Sequence, residues 1–203
     1  MTVLQGRRLR IKVILLDIFD LASFLIFVTW VVLFIRFFIF NPYTVVGQSM
    51  EPVFHQNDFI IVDKISPKFG KLERGDILVF VPRWKNLPFI KRIIGLPGEK
   101  VMIEAWKVFV CSNKDNTDSD DCTELVEPYL PTTTKTTTTM CDVSEFVMDE
   151  TGYFVMGDNR AHSTDSRCCF GLGCYEGANY LVYEEDMIGK VALKLYPSLE
   201  AHR

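Results

Sequence analysis

The 203-residue sequence predicts a mostly β domain behind a single N-terminal transmembrane helix. Three observations carry that expectation. An apolar run near the start has a basic flank, a succession of short apolar segments is broken by Gly, Pro and Asp, and no helical periodicity of useful length follows residue 41. The length leaves room for one membrane segment and one globular domain able to bury a core. A formal net charge of -4 argues against the basic surface that a nucleic-acid partner would require.

The first element is the membrane segment. Residues 6–12, GRRLRIK, place Arg7, Arg8, Arg10 and Lys12 ahead of a long apolar stretch that ends at Phe40. The window from Leu21 to Phe40 has roughly the 20 residues, about 30 Å of helix, that a bilayer core requires. Arg36 would cost about 2.5 to 3.5 kcal/mol at mid-membrane, but it sits near the end of the run and can snorkel. A cleavable signal peptide is the competing reading; the run is too long for one and no small-x-small site follows. The basic flank puts the N-terminus in the cytoplasm and the chain after Asn41 outside, the topology of a single-pass plasma-membrane protein. The expected division is a basic tail at 1–12, an anchor at 13–40 and an extracytoplasmic domain at 41–203, with a loop-rich insertion at about 104–150.

Strands are expected at FIIVDKI (59–65), GDILVFV (75–81), FIKRIIG (89–95), KVMI (100–103), GYFVMG (152–157) and MIGKVALKLY (187–196). Between them, NKDNTDSDD (113–121) and TTTKTTTT (132–139) read as surface loops. The acidic loop lacks the Gly and closing Glu of an EF-hand, so no calcium site is assigned. Cys111, Cys122, Cys141, Cys168, Cys169 and Cys174 suit a disulfide-permissive compartment. Their pairing stays open, although Cys111 and Cys122 bracket the acidic loop and could staple its base. No CxxC pair and no suitably spaced His supports zinc, so neither a metal nor a cofactor is expected.

The chemistry centres on VVGQSMEP, residues 45–52. A serine between a glycine turn and a Met-Glu-Pro corner is either ordinary turn chemistry or a nucleophile, and a nucleophile needs a base. His55, His162 and His202 lie in no recognisable triad context. A lysine can serve only when neutral, and at its ordinary pKa of about 10.4 on the order of one in 2500 is neutral at pH 7. Burial must lower that pKa, so a catalytic lysine should sit in apolar sequence. Lys91 in FIKRIIG fits best: strand alternation sets Phe89, Lys91 and Ile93 on one face and Ile90, Arg92 and Ile94 on the other. On this pattern alone a snorkelling strand lysine remains the alternative.

A third segment, GDNRAHSTDSR (157–167), joins GQSMEP, RGDILVF (74–80) and KRIIGLPGE (91–99) in an order that resembles the bacterial-type type I signal peptidases. The resemblance covers much of residues 41–167 and follows the anchor. It implies a β-rich catalytic core with a strand-rich excursion, and a membrane-anchored Ser/Lys endopeptidase that cleaves signal-peptide-bearing preproteins after Ala-x-Ala. It further implies Ser49 as nucleophile and Lys91 as general base. Met50 and Pro52 would shape the serine turn, Ser163 would hydrogen-bond Lys91, and Asp165 and Arg167 would support the site by pairing with each other or with Arg92. Val45 and Ile90 become candidate walls of the substrate pockets. The expected partners are preproteins and the lipid bilayer, with no obligate partner protein and no nucleic acid.

Two departures from the family pattern stand out. Gly47 occupies a position where some members carry a serine that binds the oxyanion and others a glycine, which leaves the backbone N–H of Ser49, with or without a neighbouring donor, to hold it. The segment CCFGLGCYEGANYLV (168–182) is longer than the usual link to Ile188-Gly189-Lys190. A non-enzymatic binding module would have dispensed with Ser49 or Lys91, and a self-cleaving repressor would need a DNA-binding head where this chain has its apolar run. The endoplasmic-reticulum type of signal peptidase uses histidine where Lys91 stands.

Overall fold

The computed structural model describes residues 2–70, 72–112, 121–138, 143–173 and 178–195, with side chains from Ile14 onward. Cys141, Cys174, His202 and most of the acidic loop lie outside the described residues. The chain forms two compact units, Met1–Phe40 and Asn41–Arg203.

The first unit is helix α1, Thr2–Phe38. Its stretch Ile14–Phe38, with a mean hydropathy of 2.5, is long and apolar enough to cross a membrane. Trp30, Phe34 and Phe38 stack at i, i+4 spacing with ring centroids 5.5 and 5.0 Å apart. The helix ends before Pro42, whose ring disfavours helical geometry in the residue ahead of it.

The second unit holds two antiparallel sheets. The larger contains β1 (Phe40–Thr44), β2 (Phe59–Asp63), β3 (Ile77–Phe80), β4 (Phe89–Gly95), β9 (Phe154–Met156) and β10 (Met187–Leu195), in the order β1-β2-β10-β3-β4-β9. The smaller contains β5 (Lys100–Glu104), β6 (Lys107–Cys111), β7 (Cys122–Glu124) and β8 (Glu145–Val147), in the order β7-β6-β5-β8. A four-residue helix, α2 (Ser66–Phe69), follows β2. All six apolar runs noted above became strands. The insertion at 104–150 is richer in strand than its composition suggests, because β6, β7 and β8 all fall within it. The two shorter ones have three residues each, too few for alternation to register.

Alternation explains the packing. In β2, Ile60 and Val62 point inward while Phe59 and Ile61 point outward. The core has three parts. One joins the small sheet to β4 and β9 through Ile94, Val101, Phe146, Met148 and Phe154; the second packs Leu78, Phe80, Ile93, Val155 and Phe170. The third, Val45, Met50, Phe54, Ile60, Val62 and Val79, lies beneath the loop between β1 and β2. Strand β10 can lie close to β2 because residue 189 is glycine: a Cβ there would come within 2.3 Å of the Asp63 carbonyl oxygen.

Cys111 and Cys122 are cross-strand partners of β6 and β7 and form a disulfide that closes the acidic loop. Cross-linking residues 11 apart removes unfolded-state entropy worth about 3 kcal/mol. Replacing both cysteines with serine should therefore lower the urea-unfolding free energy of the detergent-solubilised chain by about that amount. An unchanged midpoint would show that the bond contributes nothing to stability.

Candidate active site

Ser49 lies in the turn between β1 and β2, and its neighbours fix where it can point. Val45 and Met50, 3% and 1% exposed, anchor the two sides of the turn in the third core cluster. Val45 also exchanges backbone bonds with Asp58 and Asn57, and Phe54 N–H donates to the Met50 carbonyl. Between the anchors Gly47 adopts φ +92°, which a residue with a side chain rarely tolerates. The turn closes with a bond from Glu51 N–H to the Gln48 carbonyl and a cis peptide at Glu51-Pro52. Ser49 is left half-buried at the rim of a cavity.

Lys91 reaches the serine from β4, an interior strand flanked by β3 and β9. Its side chain passes the Phe89 ring, 5.4 Å from Nζ to the centroid. Nζ then donates to Ser49 Oγ at 2.7 Å and to the Ile90 carbonyl at 2.8 Å. Lys91 is only 3% exposed. Burial lowers its pKa from 10.5 to about 8, against the charges of Asp165 and Asp158, which favour the ammonium, and with help from Arg167, which opposes it.

Polar side chains from GDNR and TDSR pack behind this pair. Arg92, on the opposite face of β4 from Lys91, grips Asp158 with two bonds of 2.8 and 2.7 Å and donates to the Gly75 carbonyl. Arg167 grips Asp165 in the same manner, at 2.9 and 2.8 Å, and both residues are fully buried. Burial alone would raise the Asp165 carboxyl, but Arg167 and the Gly157 N–H hold it below the usual carboxylate range. Of the two partners sequence reasoning allowed for Asp165, the structure selects Arg167; Arg92 belongs to Asp158.

One expectation needs correction. Ser163 was expected to hydrogen-bond Lys91, yet Nζ directs its bonds to Ser49 and Ile90. The Ser163 hydroxyl is close enough to Asp165 to favour its ionised form, but among the described residues it has no partner in hydrogen-bonding geometry. It is packed against Gly157, where a Cβ would fall 2.1 Å from Ser163 Oγ and 2.4 Å from the Ser49 carbonyl oxygen. Glycine is required at 157 because the serine turn and Ser163 close on it from two sides.

Several contributors were not singled out from sequence. Asn159 binds the serine turn directly, its N–H to the Ser49 carbonyl and its Nδ2 to the Gln48 carbonyl, each at 3.0 Å. Arg160, 2% exposed, meets Glu127 and Thr136. The GDNR motif contained the signal for Asp158, Asn159 and Arg160. Nothing in sequence marked Glu127 or Thr136, and the latter lies in the threonine-rich stretch read as surface loop but is 3% exposed.

A cavity of about 500 Å³ opens beside Ser49 and Lys91, and Val45, Ile60, Val79 and Ile90 contribute apolar wall. Thr44, Val46, Leu87 and Pro88 line it as well, so an extended segment laid in it would meet mostly uncharged surface. His162 also lines the cavity, whereas the His55 backbone N–H bonds Asp58. The arrangement therefore offers a hydroxyl, a nearby amine held in low-dielectric surroundings, and an apolar cleft.

The chain matches the family described as Signal peptidase, peptidase S26 over residues 18–196. It is 35% identical over 161 residues to signal peptidase I of Bacillus licheniformis, covering 77% of this chain and 81% of that protein. Signal peptidase I T of Bacillus subtilis is 32% identical over 170 residues, with coverage of 81% and 78%. Signal peptidase I U of the same species is 30% identical over 200 residues, with coverage of 97% and 94%. Among solved structures, a signal peptidase I from Enterococcus faecalis aligns with a TM-score of 0.41 at 26% identity, covering 59% of this chain and 96% of that one.

The buried pairs should dominate the response of stability to mutation. Asp165→Asn leaves the Arg167 guanidinium buried without its counter-charge, a loss of about 3 to 5 kcal/mol in urea unfolding. Glu124→Gln, which breaks an exposed pair with Lys107, should leave the midpoint where it was. Equal midpoints for the two variants would contradict the structure.

Proposed function

The chain belongs to the signal peptidase family, peptidase S26, as a serine endopeptidase that removes signal peptides from preproteins, and from that premise we propose that Ser49 and Lys91 form its catalytic dyad. The observation that carries the proposal is the 2.7 Å contact between Nζ and Oγ inside a buried environment. When Lys91 is an ammonium it donates to the serine; when it is neutral the same contact lets the serine hydroxyl donate to Nζ, which is the geometry of a general base.

In the proposed reaction Ser49 Oγ attacks the scissile carbonyl as Lys91 takes its proton. Lys91 then returns that proton to the departing amine, leaving an acyl-enzyme. A water molecule, deprotonated by Lys91 in turn, attacks the ester, and Lys91 returns that proton to Ser49 Oγ as the acyl C–O bond breaks, which restores the serine hydroxyl and releases the product acid to ionise as the carboxylate. Among the described residues no backbone carbonyl accepts from the Ser49 N–H, so that donor is available to the oxyanion. Met50 positions the nucleophile through its burial. Ser163, Asp165, Arg167 and Arg92 act through the surrounding packing and charge.

Val45 and Ile90 are assigned to the substrate walls, and small apolar residues at and two before the cut, the Ala-x-Ala pattern, suit the confined cleft they border. Helix segment Ile14–Phe38 is assigned as a single membrane span, with the basic tail cytoplasmic and the domain from Asn41 outside the plasma membrane. The enzyme is proposed to act on preproteins at the bilayer with no obligate partner protein. These assignments are supported by the basic flank, the apolar composition of the span and the family membership.

The test uses the detergent-solubilised chain and a peptide spanning an Ala-x-Ala junction, with cuts located by mass spectrometry. A single cut after the second alanine is expected, absent in Ser49→Ala and Lys91→Ala. Retained cleavage in either variant would remove that residue from the dyad.

The pH profile supplies a second prediction. Lys91 must be neutral to accept a proton, and its pKa in the folded protein is about 8. The value of kcat/KM should therefore rise with pH and level off above about 8, falling roughly tenfold for each unit below it. A flat profile between pH 6 and 9 would rule out a base with the Lys91 pKa.

A further inference from the structure

The segment Glu127-Pro128-Tyr129 has no role in the reading above, yet it closes the back of the site. Arg160 Nη1 donates to Glu127 Oε2 at 2.7 Å, and Nη2 donates to Glu127 Oε1. Tyr129 Oη donates to the same Oε1 at 2.5 Å. The Tyr129 ring lies beneath Arg92, 3.8 Å from Cζ to the centroid. One short corner of the chain thus holds two arginines that themselves hold the 157–160 turn: Arg92 through Asp158, and Arg160 through the Gly157 carbonyl at 3.2 Å.

That turn carries Asn159, whose backbone and side chain secure the carbonyls of Ser49 and Gln48. From the small sheet's loop to the nucleophile there is an unbroken sequence of contacts: Glu127 to Arg160, Arg160 to Gly157, and from the same turn Asn159 to Ser49. Arg160 cannot remain 2% exposed without a counter-charge, because an uncompensated buried guanidinium costs several kcal/mol. The turn can therefore take this form only while Glu127 is docked. Thr136 Oγ1, at 2.8 Å from Arg160 Nη1, completes the guanidinium's surroundings.

We infer that Glu127 and Tyr129 are positioning residues for the peptidase reaction: the corner at 127–129 acts as a clasp that sets the placement of Ser49 by locking Arg160 and Arg92. The inference rests on the Ser49–Lys91 reading for its effect on rate, but the clasp itself concerns the placement of the turn. Neither residue touches the cleft, so their loss should lower kcat and leave substrate binding nearly intact. A displacement on the order of 1 Å far from the chemistry can cost about a hundredfold in rate.

The experiment compares Glu127→Gln, Glu127→Asp and Tyr129→Phe in the full detergent-solubilised chain. It measures kcat and KM on the junction peptide, the thermal midpoint, and hydrogen exchange at the amides of residues 157–160. For Glu127→Gln a fall in kcat of about tenfold to a hundredfold is expected, with KM within about twofold. Faster exchange at Asn159 should accompany it, and Glu127→Asp should recover part of the rate. Unchanged kcat and Asn159 exchange in a folded Glu127→Gln would overturn the inference. So would a rate loss no larger than the loss of folded protein.

If Glu127→Gln does not fold, Tyr129→Phe decides, because it deletes only the hydroxyl on Glu127. Slower turnover at an unchanged midpoint supports the clasp, and parent-like turnover overturns it. A parent chain that does not cleave would refute the peptidase reading instead. The exchange of Asn159 would still read the clasp, supporting it if accelerated in either variant and overturning it if unchanged.

Discussion

Lys91 has lost most of its contact with water, as the base proposed above must, and that loss has to be supported by everything packed around it. Lowering its pKa from 10.5 to about 8 corresponds to about 3 kcal/mol of penalty on the ammonium. The penalty exists only because β4 is an interior strand, covered by β3 on one edge and β9 on the other. The Phe89 ring lies 5.4 Å from Nζ, and the Ile90 carbonyl accepts from that nitrogen at 2.8 Å. A lysine at a sheet edge would swing into solvent and recover its ordinary pKa.

Two carboxylates near the lysine work against this. Asp165 and Asp158 both favour the ammonium, and unpaired they would hold the proton on Nζ. Each is instead gripped by an arginine, Asp165 by Arg167 and Asp158 by Arg92, which spreads its charge away from Lys91. The arginines have demands of their own, and backbone carbonyls meet them: Gly75 for Arg92 and Thr137 for Arg167, both from distant segments, and Gly157 of its own turn for Arg160. The same ion pairs that orient the 157–160 turn also moderate the field at Lys91. The surroundings of Ser49 and Lys91 thus draw on the long loop between β7 and β8.

This division of labour decides what could be read from sequence. Five of the six strands of the large sheet, β2, β3, β4, β9 and β10, were legible because each lies in a short apolar run bounded by Gly, Pro or Asp. The contact between Ser49 and Lys91 could be anticipated because a serine between a glycine turn and a Met-Glu-Pro corner, and a lysine within an apolar strand, are each conspicuous. Strand β1 was hidden by Pro42 and Asn41, and β7 and β8 by their length. The threonine-rich stretch misled for a different reason. Low complexity suggested a solvated loop, yet the Thr136 hydroxyl and the Thr137 carbonyl satisfy buried guanidinium groups, a use to which composition is blind. Partnership between residues distant in sequence, such as Glu127 with Arg160, leaves no local signature at all.

The cysteine-rich segment after Arg167 follows the same logic. Cys169 and Phe170 take left-handed backbone angles, φ 50° and 54°, at a cost of order 1 to 3 kcal/mol each for side-chain-bearing residues. The distortion aims the Phe170 ring into the core, where it is 1% exposed and packs edge-on against Phe80 at 5.3 Å and Phe89 at 6.2 Å. Burying a phenylalanine contributes about 1.5 to 3 kcal/mol, so the ring alone does not clearly outweigh the strain. Bonds to the Asp165 carbonyl from the N–H groups of Cys168 and Phe170, and from Val155 N–H to Ser166 Oγ, hold the segment in place. The outcome is felt at Phe89, the ring beside the Lys91 ammonium. The segment after Arg167 thereby helps to wall Lys91 from water.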